Sequence, residues 1–314
     1  MSIGIVVDSA SDIPSKFIKD LGLTEVAINI TFGDKLYKEN VDIKGDEFYK
    51  MLEESDILPT TSQPSPGDFE KVYTSLLKKH SEILSIHIST KVSGTYNSAV
   101  QAAEKVGKGK VTVIDSKTVS MGTGLVAISV AQKLKSNKSI KMSELAKLAN
   151  ELSSKSKILV ACETIENLKR GGRISSGAAF FGGLLSVKPV IGNKDGEVVS
   201  IARPRSMMKA LAFLRGEAER HSNHQGMAVM QTTESFDSRG LYNSLSGNAD
   251  LAKSSKDKKT SSDNMYVGEV IKAQFGPAIG THAGPGAVGI AFIGDLADLS
   301  LIHIWRCRRL LTCR

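Results

Sequence analysis

Four segments of the chain carry more hydroxyl, guanidinium and imidazole groups than packing alone requires. The first is Thr60-Thr61-Ser62-Gln63-Pro64-Ser65-Pro66-Gly67, where two prolines restrict the backbone and hold several hydroxyls in a stiff loop. Ser65 or a neighbour also suits the cap of the helix that follows. The second, Ile88-Ser89-Thr90-Lys91-Val92-Ser93-Gly94-Thr95-Tyr96-Asn97, follows an apolar run and opens a helical pattern. The carboxyl end of a parallel strand is where α/β folds bind ligands, and a helix N-terminus there offers free N–H groups to an anion. Ser93, Gly94 and Thr95 could therefore hold a carboxylate or phosphate, with simple N-capping as the competing role. The third is Arg170-Gly171-Gly172-Arg173-Ile174-Ser175, whose glycines permit a close backbone approach and whose arginines suit a planar oxyanion. A solvated helix end accounts for Arg170, but less readily for Arg173 or for Arg203 in Ala202-Arg203-Pro204-Arg205. The fourth, Gly280-Thr281-His282-Ala283-Gly284-Pro285-Gly286-Ala287, reads as a glycine and proline-rich loop. A histidine there could donate to an anion or titrate near neutrality, although a lone histidine is more often structural.

Familiar catalytic signatures are missing around these groups. No GxSxG elbow surrounds Ser93, and no nearby His or Asp completes a triad. Gly122-Thr123-Gly124 lacks the third glycine of a dinucleotide fingerprint, and there is no GxxxxGK[ST] loop. Asp8 with Asp12, and Asp115, stand at strand ends and could bind a metal; helix capping is the competing role for Asp8 or Ser11.

The elements that must position these groups alternate in the first half of the chain. Short aliphatic runs at Ile3–Val7, Val26–Ile30, Ile83–His87, Val111–Ile114 and Ile158–Ala161 read as strands. Helical patterns lie between them at Pro14–Leu21, Gly45–Glu53, Gly67–Lys79, Tyr96–Val106, Leu125–Lys135 and Met142–Ser153. This alternation predicts a parallel sheet covered on both faces. After Cys162 the texture changes. Glu163–Arg170 is helical, the glycines at 171 and 172 stop it, and Ser175–Leu185 is a small-residue helical stretch. Strands are expected at Val187–Ile191, Val198–Ile201, Met227–Gln231, Tyr266–Ile271 and Val288–Ile293, with a helix from Ser206 to about Glu219. Few crossover helices separate these strands, so a mixed α+β sheet is expected. Gly247–Asn264, rich in Lys, Ser and Asp, reads as a surface loop.

A chain of 314 residues with 41% apolar and 5% aromatic content suits two aliphatic α/β cores. No run is long and apolar enough to span a membrane, and the start MSIGIVVDS lacks the features of a signal peptide. The cysteines form no CxxC pair, so neither a disulfide framework nor a zinc site is indicated. A cytoplasmic protein is expected. The net charge of +8 comes from scattered lysines without interleaved aromatics, which argues against nucleic-acid binding. Leu299–Arg309, LSLIHIWRCRR, matches a translated sequencing adapter with UGA read as tryptophan, so residues 299–314 are expected to be non-native. Without their arginines the charge falls to +4.

Taken together and in this order, the segments resemble the DegV family of bacterial fatty-acid-binding proteins. The resemblance runs through Val6-Val7-Asp8-Ser9-Ala10-Ser11-Asp12, Thr61-Ser62-Gln63-Pro64, Ser93-Gly94-Thr95-Tyr96-Asn97, Asp115-Ser116, the Glu163–Arg173 run and Gly284-Pro285-Gly286-Ala287. It covers residues 1 to 295. It implies an N-terminal parallel-sheet α/β domain (1–162), a C-terminal α+β domain with a mixed sheet (163–298), and a long-chain fatty acid buried between them. By the same resemblance Thr61, Ser93 and His282 would hold the carboxylate, with Ser62 and Gly94 adjoining. The protein would then be a carrier, not an enzyme, without cofactor or metal, handing the acid to a separate fatty acid kinase. Arg173 and Arg203 match positions associated with the exposed surface that serves this partner. The loop 247–264 is longer than the family pattern, and the tail after Asp298 has no counterpart. A tail of roughly sixteen carbons gains about 12 kcal/mol gross when fully enclosed, which favours a closed tunnel; Ser175–Leu185 could make room for it or simply pack closely. The alternative from another class is a hydrolase or transferase acting on an acyl or phosphorylated substrate, with Ser93 as nucleophile and His282 as base. Resequencing the 3′ end of the gene should show the native reading frame diverging near codon 299; an intact native frame through codon 314 would refute the adapter origin.

Overall fold

The computed structural model describes residues 2–174, 187–233, 238–246 and 270–296, and all that follows concerns these residues. The expected Ser175–Leu185 helix, the loop 247–264 and the tail 299–314 fall wholly or almost wholly outside them.

The first sheet is parallel, as the strand and helix alternation requires. It contains β1 (Ile3–Asp8), β2 (Leu23–Val26), β6 (Glu82–His87) and β7 (Val111–Asp115) in the order β2-β1-β6-β7. Alternate residues of β1 serve its two faces. Ile5 and Val7 pack with α5 (Met121–Ser136) and α6 (Met142–Lys155), whereas Val6 packs with Phe69 and Tyr73 of α3 (Pro66–Leu77) and Ala99 and Ala102 of α4 (Thr95–Val106). Every residue from Met121 to Ala131 is buried, because α5 lies between this sheet and the second one.

The second sheet has six strands in the order β10-β9-β8-β13-β11-β12. They are β8 (Ser156–Ala161), β9 (Val190–Lys194), β10 (Glu197–Ala202), β11 (His221–Gln231), β12 (Ile271–Gln274) and β13 (Val288–Leu296). Only β11 and β12 pair in parallel; the other neighbours are antiparallel, so this is the mixed sheet expected of the second half. Helix α8 (Met207–Glu219) covers one face over Leu159, Ala161, Val229 and Phe292, while Ile158 and Val160 turn to the other face.

Two strands are placed differently from the sequence reading. Ile158–Ala161 belongs not to the parallel sheet but to the centre of the mixed one, between β9 and β13. A run buried on both faces looks alike in either setting. The single strand read at Val26–Ile30 is two strands in different sheets. β3 (Asn29–Phe32) joins β4 (Lys35–Lys38) and β5 (Thr60–Ser62) in a small antiparallel sheet, order β4-β3-β5. The break falls at Ile28, whose N–H donates to the Ser9 hydroxyl rather than to a neighbouring strand.

Asp8 precedes a short 3-10 turn (Ser9–Ser11) but its side chain makes no capping hydrogen bond there and, among the described residues, no group of three or more His, Cys, Asp or Glu side chains could hold a metal ion. Its Oδ2 accepts from the Ile88 N–H (3.1 Å) and pairs with His87 Nδ1 (2.9 Å). His87 Nε2 continues to the Ser85 hydroxyl and thence to Tyr73 Oη, each at 2.7 Å. Asp8, Ser85 and His87 have no solvent exposure, so this chain of polar groups stitches β1 and β6 to α3 instead of meeting a substrate. Ser11 donates to the Asp8 carbonyl. Among the described residues no helix is long and apolar enough to cross a membrane. Asp8→Ala should leave two buried donors without an acceptor and cost about 1–3 kcal/mol for each; denaturant unfolding showing no loss would contradict the role given to this network.

Candidate functional site

The loops at the carboxyl ends of β1, β6 and β7 open towards the mixed sheet, and a cavity lies between them. Its empty space, counted with the open mouth, is about 750 Å³. The parallel sheet contributes Ala10, Ile88, Val92, Ser93 and Val119 from the loops after its strands. The mixed sheet contributes Ile158, Val160, Ile191 and Val198. The small sheet presents Thr61 and Ser62, with Gln63 beyond them. The remaining wall comes from Ile28, from Leu168 of α7 (Glu166–Arg170), from Arg173, and from Phe275, Ala278, Ile279, His282 and Ala283. Most of the lining is aliphatic, and the polar side chains are Thr61, Ser62, Gln63, Ser93, Arg173 and His282.

Thr61 is not in a loop. It sits in β5 opposite Ile30 of β3, and this pairing fixes where its side chain points. His282 is likewise not in a loop but near the end of a short helix, α10 (Pro277–Ala283). Pro277 occupies the first helical position and Gly284, with φ of 74°, ends the helix, an N-terminal proline and C-terminal glycine pairing typical of helices. The two elements bring Thr61 Oγ1 and His282 Nε2 to 2.8 Å across 221 residues of sequence.

Nδ1 of the same ring is buried and has no hydrogen-bond partner in the protein. It lies against Gly171, where an added Cβ would stand 2.3 Å from it. The close approach expected of the paired glycines is therefore made, and its object is the His282 imidazole. Gly172 serves the turn instead, with φ of 65°. Burial first, and then the positive charge of Arg173, push the His282 pKa down to about 4. The ring is therefore neutral near pH 7. If Nε2–H donates to Thr61, the threonine hydroxyl hydrogen is free for a ligand; if Thr61 donates to Nε2, the remaining hydrogen is on Nδ1, against Gly171.

Ser93 lines the same cavity from the turn before α4. Its hydroxyl lies 2.8 Å from Thr95 Oγ1 and accepts from the Thr95 N–H (3.3 Å). No hydrogen bond joins it to His282, whose Nε2 is committed to Thr61, so the contact a nucleophile and its base require is not made. Gly94 is the N-cap residue of α4, and a Cβ there would press on the Gln63 amide at 2.8 Å. Ser62 lies at the exposed edge of the polar end. Ser65 caps α3 through a reciprocal capping box with Asp68, the role its position suggested.

Of the two arginines grouped by resemblance, one lines the cavity and the other does not. Arg173 lines the cavity and donates from Nη1 to the Gly171 carbonyl (2.6 Å). Arg203 is exposed beyond the end of β10 and is not part of the cavity wall. Sequence reading did not single out Asp12, Glu39 or Tyr49 for this region. All three are buried and contact the segment carrying His282: Asp12 accepts from the Gly276 N–H, Glu39 from the Ala278 N–H, and Tyr49 donates to the Phe275 carbonyl.

A histidine that is neutral when folded but protonates near pH 6.5 when unfolded makes stability fall as pH drops from about 6.5 towards 4. NMR titration of His282 should therefore give a midpoint well below 6.5 in the ligand-free protein, and a carboxylate ligand should raise it; a midpoint at the free-histidine value would contradict this environment.

The DegV family model, described as an uncharacterised protein family, matches residues 2–295. A DegV domain-containing protein of Caldanaerobacter subterraneus subsp. tengcongensis is 33% identical over 293 residues, covering 92% of this chain and 98% of the relative. A solved structure from Thermus thermophilus, described as the fatty acid binding of a DegV family protein, superposes with a TM-score of 0.78 at 30% identity, covering 94% of this chain and all of that one. The structure of DegV from Bacillus subtilis, described as a fatty acid binding protein, gives 0.80 at 27% identity with the same coverage. With its sequence matched from end to end of the described fold, this chain belongs to the DegV family.

Proposed function

We propose that this protein binds a long-chain fatty acid, with the carboxylate at the Thr61, Ser93 and His282 end of the cavity and the tail along its aliphatic wall. One observation carries the reading: a hydroxyl and imidazole pair, joined at 2.8 Å, forms part of the polar lining of an otherwise aliphatic cavity. A buried carboxylate needs hydrogen bonds and a compensating charge. Hydroxyls of Thr61 and Ser93 supply the first, and Arg173 supplies the second. Ile158, Val160, Ile191 and Val198 offer the apolar surface that a chain of methylenes would cover. Ser62 and Gly94 adjoin this end, the latter through Gln63. The likeness to the Thermus and Bacillus proteins supports the same ligand class.

The finer part of the proposal is that the bound acid is presented to a separate fatty acid kinase, in the cytoplasm where ATP is at hand, and that the carrier itself performs no chemistry. Exposed Arg203 is the residue we assign to that partner. Arg173, on the cavity wall, is assigned to the head group as well.

Protein purified without delipidation should release a fatty acid on extraction, read by mass spectrometry, and delipidated protein should rebind palmitate. Ser93→Ala should weaken binding by about 1–3 kcal/mol, while Arg203→Ala should leave binding intact and lower acyl phosphate formed with kinase and ATP. Delipidated protein that rejects every added fatty acid would refute the reading, and turnover of an acyl or phosphorylated substrate by the isolated chain would favour the hydrolase alternative.

A further inference from the structure

Helix α10 is short, contains a glycine (Gly280) and is flanked by two more (Gly276 and Gly284), and has little helical propensity of its own. Yet it must hold the His282 ring to within hydrogen-bonding distance of Thr61. The structure shows what fixes it. Asp12 Oδ1 accepts from the Gly276 N–H at 2.9 Å, and Glu39 Oε1 accepts from the Ala278 N–H at 2.8 Å. These are the N-cap amide and the second amide of the helix, since Pro277 between them has no N–H to offer. The second oxygens of both carboxylates are tied down in turn. Asp12 Oδ2 accepts from Ser120 (2.5 Å), and Glu39 Oε2 accepts from Ser9, whose hydroxyl also receives the Ile28 N–H. Tyr49 closes the arrangement by donating to the Phe275 carbonyl at 2.7 Å.

The glycine before α10 and the one within it fit this contact. A Cβ on Gly276 would stand 2.6 Å from Glu39 Oε1 and 2.9 Å from Asp12 Oδ1, and one on Gly280 would stand 2.2 Å from Tyr49 Oη. Gly276 has φ of −68° and ψ of 172°, a conformation open to any residue and the one favoured before a proline. Its lack of a side chain therefore answers to the carboxylates and not to the backbone.

We infer that Asp12 and Glu39 are positioning residues for the head-group site: they grip the N-terminus of α10 and so set the place of His282 opposite Thr61. This rests on the reading of Thr61 and His282 as the head-group end of a fatty-acid site. Burial, with Glu25 and Asp8 nearby, holds the Glu39 pKa up at about 7, and burial with Glu39 beside it raises that of Asp12. An amide in place of either carboxyl still offers one acceptor oxygen to the helix, and the serine hydroxyls can rotate to accept from the new NH₂. Charge is then dispensable at these positions, and the acceptor oxygen is not.

The test uses the full chain in five forms: wild type, Glu39→Ala, Glu39→Gln, Asp12→Asn and Gly276→Ala. Three quantities are read: palmitate affinity, amide hydrogen exchange across residues 277–284, and the His282 titration midpoint. Glu39→Ala and Gly276→Ala should weaken palmitate binding on the order of tenfold, speed exchange in α10, and return the His282 midpoint towards that of free histidine. Glu39→Gln and Asp12→Asn should stay close to wild type in all three. Gly276→Ala removes no carboxylate and Glu39→Gln keeps the oxygen that accepts from the helix, so loss in the first and rescue by the second separate positioning from general destabilisation. Unchanged His282 titration and exchange in Glu39→Ala and Gly276→Ala would overturn the inference, as would equal loss in the amide variants. If the wild type fails to bind palmitate, the fatty-acid reading falls, and the exchange and titration results still decide whether the carboxylates position His282.

Discussion

The 2.8 Å contact between Thr61 and His282 joins two elements that have no reason to meet until the whole chain has folded. Thr61 is held by the small antiparallel sheet, through its pairing opposite Ile30. His282 is held by α10, which connects β12 to β13 of the mixed sheet. Between them stand the loops of the parallel sheet, from which Asp12 reaches the helix. All three sheets therefore converge on this pair. Gly171 completes the constraint by leaving the imidazole no side chain to compete with. A Cβ at position 171 would stand 2.3 Å from Nδ1 and force the ring away from this place.

Burial gives this pair its chemical character. In water a histidine is poised to titrate near neutrality; here desolvation, reinforced by Arg173, keeps the ring neutral. A neutral imidazole beside a hydroxyl can orient a ligand oxygen without adding a second fixed charge to that of Arg173. Such a site suits a ligand with one anionic end that must be held and later released. The aliphatic wall beyond, shared by Ile158, Val160 and Ile191, has no polar side chain to orient anything else. The same geometry leaves Ser93 without an activating base: its hydroxyl is engaged with Thr95, and the His282 ring is turned to Thr61.

Much of this was legible in the sequence because it is written in local patterns. Aliphatic runs separated by helical periodicity gave the parallel sheet, and the sparse helices after Cys162 pointed to a mixed one. A hydroxyl-rich loop contained Thr61, a hydroxyl-rich segment after a strand pointed to Ser93, and the glycines at 171 and 172 marked a close approach; only the family resemblance joined Thr61 and Ser93 to His282. What escaped depends on long-range partners. Ile158–Ala161 is apolar on both faces in any sheet, so its neighbours could not be read from it. The break at Ile28 depends on a hydrogen bond to Ser9, and the helix at Pro277–Ala283 hides behind its own glycines. Glu39 gave no local sign at all: it is an acid between a strand and a turn, made important by a helix more than two hundred residues away. Arg173 and Arg203 look alike in sequence, and only packing distinguishes the one lining the cavity from the one outside it.

A crystal structure of the protein with a long-chain fatty acid bound tests the central claim most directly. It should show the carboxylate within hydrogen-bonding distance of Thr61 Oγ1 and the Ser93 hydroxyl, close to His282 and Arg173, with the tail running over Ile158, Val160 and Ile191. A carboxylate seated away from Thr61 and His282, or a tail lying outside this cavity, would contradict the account.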